Sequence, residues 1–355
     1  MIPELGIIEG FFGRPWSWNE RRDVIATLAP HGYGFYHYAP KADPFLRRRW
    51  QERHPDDELA ELAAFSGFCR DLGVRFGIGL TPFELHLSPG EHARAPITAK
   101  LDSLAAIGVD DLAILFDDMR GDVPELAERQ AAIVDIAAGH GIASRLLCCP
   151  SYYSDDPVLD RAFGQRPAGY LERLGQLLGP TVEIMWTGEE VCSREISPEH
   201  LVRVAEQIGR KPFLWDNYPV NDGPLMSQHL HLRAFTGRSA SIAPHISAHG
   251  INPASQAWLS LAPALTLAMS YGAGDAYAYG AAFDQAASSL FGGALTTRLR
   301  ADLLTFQDRG LDRIGPNRRA ELRDIYSVFD HPAAREVIAW LNGEYDLGDE
   351  AVRTQ

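Results

Sequence analysis

Two adjacent aspartates, Asp117 and Asp118, end the run Asp110-Asp111-Leu112-Ala113-Ile114-Leu115-Phe116-Asp117-Asp118. Carboxylates this close resist ionising together, so one pKa should rise. A raised carboxyl suits a general acid near neutral pH. Neighbouring side chains on a strand point to opposite faces, so both acids reach one pocket only where the strand ends and the backbone turns. Other apolar runs end in comparable groups: Glu9-Gly10-Phe11, Tyr38-Ala39-Pro40-Lys41, Thr81-Pro82-Phe83-Glu84, Cys149-Pro150-Ser151-Tyr152-Tyr153, Trp186-Thr187-Gly188, Trp215-Asp216-Asn217-Tyr218 with Asn221-Asp222, and Asn252. Carboxylates and amides bind hydroxyls and aromatic rings stack on sugar faces, so this mixture fits a carbohydrate site.

Other chemistries have less behind them. His229, His231, His245 and His249 can be read as a ligand set, but 245–252 reads as a strand and no H-E-x-x-H or C-x-x-C accompanies them. A serine nucleophile would need a G-x-S-x-G elbow, which the chain lacks. No metal or organic cofactor is expected.

The elements that must carry these tips are legible as eight short apolar runs: 5–12, 34–40, 74–80, 111–118, 143–150, 182–188, 212–219 and 245–252. Helix-like stretches lie between them. Residues 19–30 open with Asn19 as a helix cap, 57–72 close before Gly73, 124–138 carry Pro124 in the first turn, and 198–209 run from Pro198 to Gly209. Strands alternating with helices at this length predict an α/β fold, a (β/α)8 TIM barrel, with the active site at the strand C-termini. The competing doubly wound sheet would show a Gly-rich phosphate loop after its first strand; here that loop is the bulky Gly10-Phe11-Phe12-Gly13-Arg14-Pro15-Trp16. Residues 253–272 read as the eighth barrel helix, and 282–308 and 317–342 as further helices without strands. The expected division is a catalytic barrel over 1–277 and a helical C-terminal region over 278–355, which either packs on the barrel or forms a homodimer contact.

The chain has 355 residues, with 33 Lys and Arg against 47 Asp and Glu, a formal charge of −14. So acidic a chain is poorly suited to nucleic acid or an anionic membrane. No apolar stretch approaches the roughly 20 residues of a membrane span, and the N-terminus has no signal-peptide pattern. Four cysteines without a C-x-x-C pair fit reduced, buried thiols in a cytoplasmic protein. The run Arg47-Arg48-Arg49 reads as a solvated helix end.

The segments Gly6-Ile7-Ile8-Glu9-Gly10-Phe11-Phe12-Gly13-Arg14-Pro15-Trp16, Tyr38-Ala39-Pro40-Lys41, Leu115-Phe116-Asp117-Asp118, Trp186-Thr187-Gly188, Trp215-Asp216-Asn217 with Asn221-Asp222, and Asn252-Pro253 resemble the motif set of glycoside hydrolase family 84. That family holds O-GlcNAcases, bacterial β-N-acetylglucosaminidases and proteins once named hyaluronidases. The resemblance implies a (β/α)8 catalytic barrel and a retaining exo-β-N-acetylglucosaminidase acting on a GlcNAc-bearing glycoconjugate or glycoprotein. By position, it implies that Asp117 orients the substrate's 2-acetamido group and Asp118 is the general acid/base. It further implies that Gly10 and Lys41 bind sugar hydroxyls, and that Tyr153 lines the N-acetyl pocket. Trp215 would wall that pocket, Asn217 would bind the acetamido group, Asp222 would grip the distal hydroxyls and Asn252 would close the rim. Hydrolysis would be substrate-assisted, through an oxazoline, which is an exception to the two-carboxylate nucleophile scheme. Ala42 replaces an acid common in the family, and Met119-Arg120 follows the pair where a branched residue is usual.

Two other functions compete: a catalytically weak GlcNAc-binding sensor on the same barrel, which the intact acid pair opposes, and an endo-acting hyaluronidase. The charge of −14 opposes a polyanionic substrate.

Overall fold

A computed structural model of the chain describes residues 2–87, 93–345 and 347. Eight parallel strands close into a barrel in sequence order. They are β1 (Glu4–Glu9), β2 (Tyr33–Tyr38), β3 (Arg75–Leu80), β4 (Asp111–Leu115), β5 (Arg145–Cys149), β6 (Glu183–Trp186), β7 (Phe213–Asp216) and β8 (Ala248–Ile251). Closure pairs β1 with β8, from Glu4 opposite Ala248 to Ile7 opposite Ile251. Each strand coincides with one of the expected apolar runs, because parallel strands covered on both faces need apolar side chains throughout. The last strand is shorter than its apolar run, since His245 ends a 3-10 turn, Ala240–His245, before β8 begins.

The barrel helices are α1 (Trp18–Leu28), α2 (Asp56–Asp71), α3 (Arg94–Leu104), α4 (Leu126–His140), α5 (Pro157–Phe163), α6 (Tyr170–Leu177), α7 (Pro198–Ile208) and α8 (Ala257–Ala273). The cap of α1 is Ser17, not Asn19: Ser17 Oγ accepts Glu20 N–H at 3.2 Å and Glu20 returns the bond, a reciprocal capping box. Pro124 lies outside α4, whose N-cap Glu125 takes a left-handed backbone. Helix α7 begins and ends as its Ser197-Pro198 start and left-handed Gly209 stop require.

The region after the barrel is helical. It comprises α9 (Tyr279–Leu303), bent at Gly292, a π-turn at Leu304–Arg309, α10 (Pro316–Ser327) and α11 (Pro332–Leu341). The divide expected at 277/278 falls on the connection between α8 and α9, and the expected end of the region at 348–355 lies outside the described residues. These helices pack on the barrel through α8. Leu259 and Ala262 of α8 share a buried cluster with Phe283, Phe291, Leu322, Val337 and Trp340, while Leu261 and Leu265 of the same helix face the barrel core. A helix apolar on both sides is one buried between two layers. No helix among the described residues is long and apolar enough to cross a membrane.

Candidate active site

The nine candidate residues, Gly10, Lys41, Asp117, Asp118, Tyr153, Trp215, Asn217, Asp222 and Asn252, line one cleft at the C-terminal mouth of the barrel.

Asp117 and Asp118 follow β4. The ladder continues one residue past the strand, with Phe116 N–H donating to Cys149 carbonyl oxygen at 2.9 Å. The chain then turns at Asp118, whose φ of 57° is left-handed. This turn delivers both carboxylates to the same cleft despite their adjacency. Asp117 is buried and takes the Lys41 ammonium on Oδ2. Its Oδ1 is buried too and has no donor among the described residues. Asp118 is partly open to the cleft and accepts the Tyr153 hydroxyl at 3.3 Å. Burial raises the Asp118 pKa and the neighbouring Asp117 charge adds to it; Lys41, Arg47 and the Tyr153 hydrogen bond pull the other way without prevailing.

The far wall crosses the barrel seam. Gly10 N–H donates to Asn252 Oδ1 at 3.2 Å, and Asn252 Nδ2 donates to Asn217 Oδ1 at 3.0 Å. Asn217 in turn donates to the Val191 carbonyl at 2.8 Å. The Trp215 ring lies against Gly10, where any Cβ would overlap it, so position 10 tolerates only glycine beside this tryptophan. Asp222 Oδ2 accepts Phe12 N–H at 2.8 Å. Burial lifts its carboxyl to about 6, with Asp118 adding to the rise and Phe12 N–H opposing it.

Several groups at the strand tips serve structure instead. Glu9 is held by Arg21 through two bonds of 2.8 Å and by the Tyr36 hydroxyl at 2.6 Å. Tyr152 turns away from the cleft and donates to Gly164 carbonyl oxygen at 2.7 Å. Asn221 ties the backbone of Ser255 to Gln256 Oε1. Three of the four histidines in the possible ligand set are separately engaged: His229 with Gln307 carbonyl oxygen, His231 with Pro219 carbonyl oxygen, and His249 between Tyr271 and Asp216; His245 ends a 3-10 turn before β8. Among the described residues no three His, Cys, Asp or Glu side chains converge as a metal site requires.

Phe12, Cys149, Thr187, Val191, Cys192 and Val220 also line the cleft and were not singled out. Cys149 was visible as a strand tip; Val191 and Cys192 sit on a loop with no motif. Burial raises both thiols, Cys192 to about 12, so neither is a ready nucleophile. Arg47 departs from expectation. Only 7% of it is exposed, and its guanidinium lies over the rings of Phe12 and Phe83 at 5.2 and 5.4 Å. It is a packed cation, and only Arg48 and Arg49 of the run are solvated.

Comparison with known proteins narrows what this cleft belongs to. The family model described as beta-N-acetylglucosaminidase matches residues 5–308. The Protein O-GlcNAcases of Rattus norvegicus and Mus musculus are each 30% identical to the chain over 258 residues. That match covers 70% of this chain, which thus spans 28% of the length of those relatives. Among solved structures, a mutant O-GlcNAc hydrolase of Thermobaculum terrenum superimposes with a TM-score of 0.78 at 26% identity, covering 96% of this chain and 80% of that one. A structure titled CpGH84B gives 0.77 at 22% identity, over 96% of this chain and 66% of that one, a likeness of fold alone. Fold and cleft define a (β/α)8 barrel protein with a carboxylate-lined site at the strand C-termini. Within that class, the chain belongs to the beta-N-acetylglucosaminidase family.

Proposed function

We propose that the chain is a retaining exo-β-N-acetylglucosaminidase that removes terminal β-linked GlcNAc from a glycoconjugate, O-GlcNAc on protein Ser or Thr included, by substrate-assisted catalysis. The observation that carries this reading is the division of labour within the acid pair. Asp117 is held by Lys41 and keeps a buried acceptor free of any donor among the described residues, which suits an acetamido N–H. Asp118 has a raised pKa, which suits a proton donor.

In the first step Asp118 gives its proton to the glycosidic oxygen while the substrate's acetamido oxygen attacks C1. The C1–O bond breaks, the aglycone leaves as an alcohol, and Asp117 stabilises the positive charge that develops on the acetamido nitrogen. In the second step the Asp118 carboxylate takes a proton from water as its oxygen attacks C1 from the face the aglycone left. The oxazoline opens and the configuration is retained. Trp215, at the side of the cleft, shields the acetamido methyl group, and Asn217 fixes that group. Asp222, Asn252, Gly10 and Lys41 hold the sugar's hydroxyls.

The assay is hydrolysis of p-nitrophenyl β-GlcNAc by wild type and Asp118→Asn. Equal rates in the two sink the assignment. Thiazoline mimics of the oxazoline should inhibit, and complete insensitivity to them counts against acetamido participation. The same reading keeps the chain in a reducing, cytoplasmic compartment, supported by four unbridged cysteines, and cell fractionation tests it.

A further inference from the structure

Glu336 lies on α11, far along the chain from every residue of the cleft, and is buried. Its two carboxylate oxygens accept the backbone N–H groups of Trp258 and Leu259, each at 2.9 Å. These are orphan donors in the first turn of α8, whose own N-cap residue, Gln256, offers no side-chain bond. A helix normally takes its cap from the residue just before it. Here the cap comes from another layer of the molecule, 78 and 77 residues away. Burial raises the Glu336 carboxyl to about 8, while the Trp258 and Leu259 N–H groups at the positive end of the helix dipole pull it down.

The turn that Glu336 secures continues directly from the rim of the cleft. Residues 252–256 connect β8 to α8 and begin with Asn252. Trp16 Nε1 donates to the carbonyl oxygens of Ala254 and Ser255 at 3.2 and 3.1 Å. Ser255 N–H donates to Asn221 Oδ1 at 3.1 Å, and Asn221 Nδ2 donates to Gln256 Oε1 at 2.8 Å. Asn221 immediately precedes Asp222. One helical turn beyond Glu336, Trp340 Nε1 donates to the Ser227 carbonyl oxygen at 3.0 Å, fixing the segment that follows Asp222. One face of α11 thus holds two segments, one on each side of the pair Asp222 and Asn252.

We infer that Glu336 is a positioning residue for the sugar site: by capping α8 from the helical region it sets the rim that carries Asn252, Asn221 and Asp222. The helical region is then a working part of the glycosidase. This inference rests on the proposed role of the cleft, in which Asp222 and Asn252 grip hydroxyls remote from the reacting carbon. Loss of such grip weakens ground-state and transition-state binding alike, so it raises KM more than it lowers kcat.

The experiment uses the full chain and p-nitrophenyl β-GlcNAc. It compares wild type, Glu336→Ala, Glu336→Gln and Leu322→Ala, the last removing a buried apolar side chain of α10 that takes no part in the cap's hydrogen bonds. Glu336→Ala should raise KM on the order of tenfold, with kcat per folded chain within about threefold. Glu336→Gln keeps one carbonyl acceptor and should fall between Ala and wild type. Leu322→Ala should lower Tm and leave KM unchanged. If Glu336→Ala proves too unstable to assay, the Glu336→Gln KM and its inhibition constant for free GlcNAc decide alone. A lowered Tm with wild-type KM in the Glu336 variants makes the residue merely structural and overturns the inference. A wild type that cleaves no GlcNAc glycoside overturns the reading of the cleft itself, a separate and recognisable failure.

Discussion

The two mouths of the barrel use the same residue types to opposite ends. At the N-terminal mouth five strands begin with a charge: Glu4, Arg75, Asp111, Arg145 and Glu183. Each is matched. Asp111 takes Arg75 Nε at 2.9 Å and His37 Nε2 at 3.0 Å. Arg145 bridges Glu4 at 2.8 Å and Glu183 at 2.5 Å. Burial works against the charge on Asp111, but His37 and Arg75 together outweigh it and hold the carboxyl below its ordinary range. At the C-terminal mouth the acids outnumber what could neutralise them. Asp117 is paired with Lys41, while Asp118 and Asp222 feel cations only from beyond ion-pair distance and both rise. Compensated charge at one end holds the barrel closed, and uncompensated charge at the other is what a proton-transfer site needs.

Breaking each end should therefore break a different property. Asp118→Asn should lower kcat by about 10² to 10⁴-fold, measured on an aryl GlcNAc glycoside, without lowering Tm. Asp111→Asn should do the reverse. It leaves Arg75 and His37 facing a neutral amide, so denaturant unfolding should show a loss of about 3 kcal/mol, with kcat of the folded enzyme little changed.

Tyr153→Phe should be milder, a loss of about tenfold, and should move the pH profile. With Asp118 as the proposed proton donor, activity should fall as pH rises through its raised pKa. The Tyr153 hydrogen bond holds that pKa down, so removing it should shift the alkaline limb to higher pH.

The smallest effects lie in stability against pH, and they differ in sign. Asp111 is lowered from 3.8, so its contribution is present above that value and is lost as pH falls through the folded pKa. Asp222 is raised from 3.8 to about 6, so its contribution is present below 3.8 and is lost as pH rises through 6. Replacing Asp222 by Asn should flatten Tm between pH 4 and 6, whereas Asp111→Asn should leave that window alone. Identical pH profiles for the two variants would end the contrast between the mouths.

Much of this was legible in the sequence, for physical reasons. Strands covered on both faces are written as apolar runs, and barrel chemistry sits where those runs stop. Asp117-Asp118 and Trp215-x-Asn217 were therefore visible as tips before any geometry. Helices α3, α5 and α6 carry no comparable signal, and α5 is only seven residues long. Pro96 sits inside the α3 segment, and Gly169 and Gly175 break up the α6 pattern. Arg47 misled because a run of three arginines carries no mark of which one is packed between phenylalanines. The pairing of Lys41 with Asp117 and the cap from Glu336 to α8 join distant positions, and no local pattern encodes such contacts.

Asp118 has one more consequence, through its backbone. At φ 57° an aspartate occupies a region that asparagine and glycine adopt more readily. The substitutions that would abolish the proposed proton donation are therefore the ones the local chain prefers. An Asp118→Asn or Asp118→Gly protein should be at least as well folded as the active one, and so a good reagent for holding an intact glycoconjugate in the cleft. At this position, foldability and turnover favour different residues.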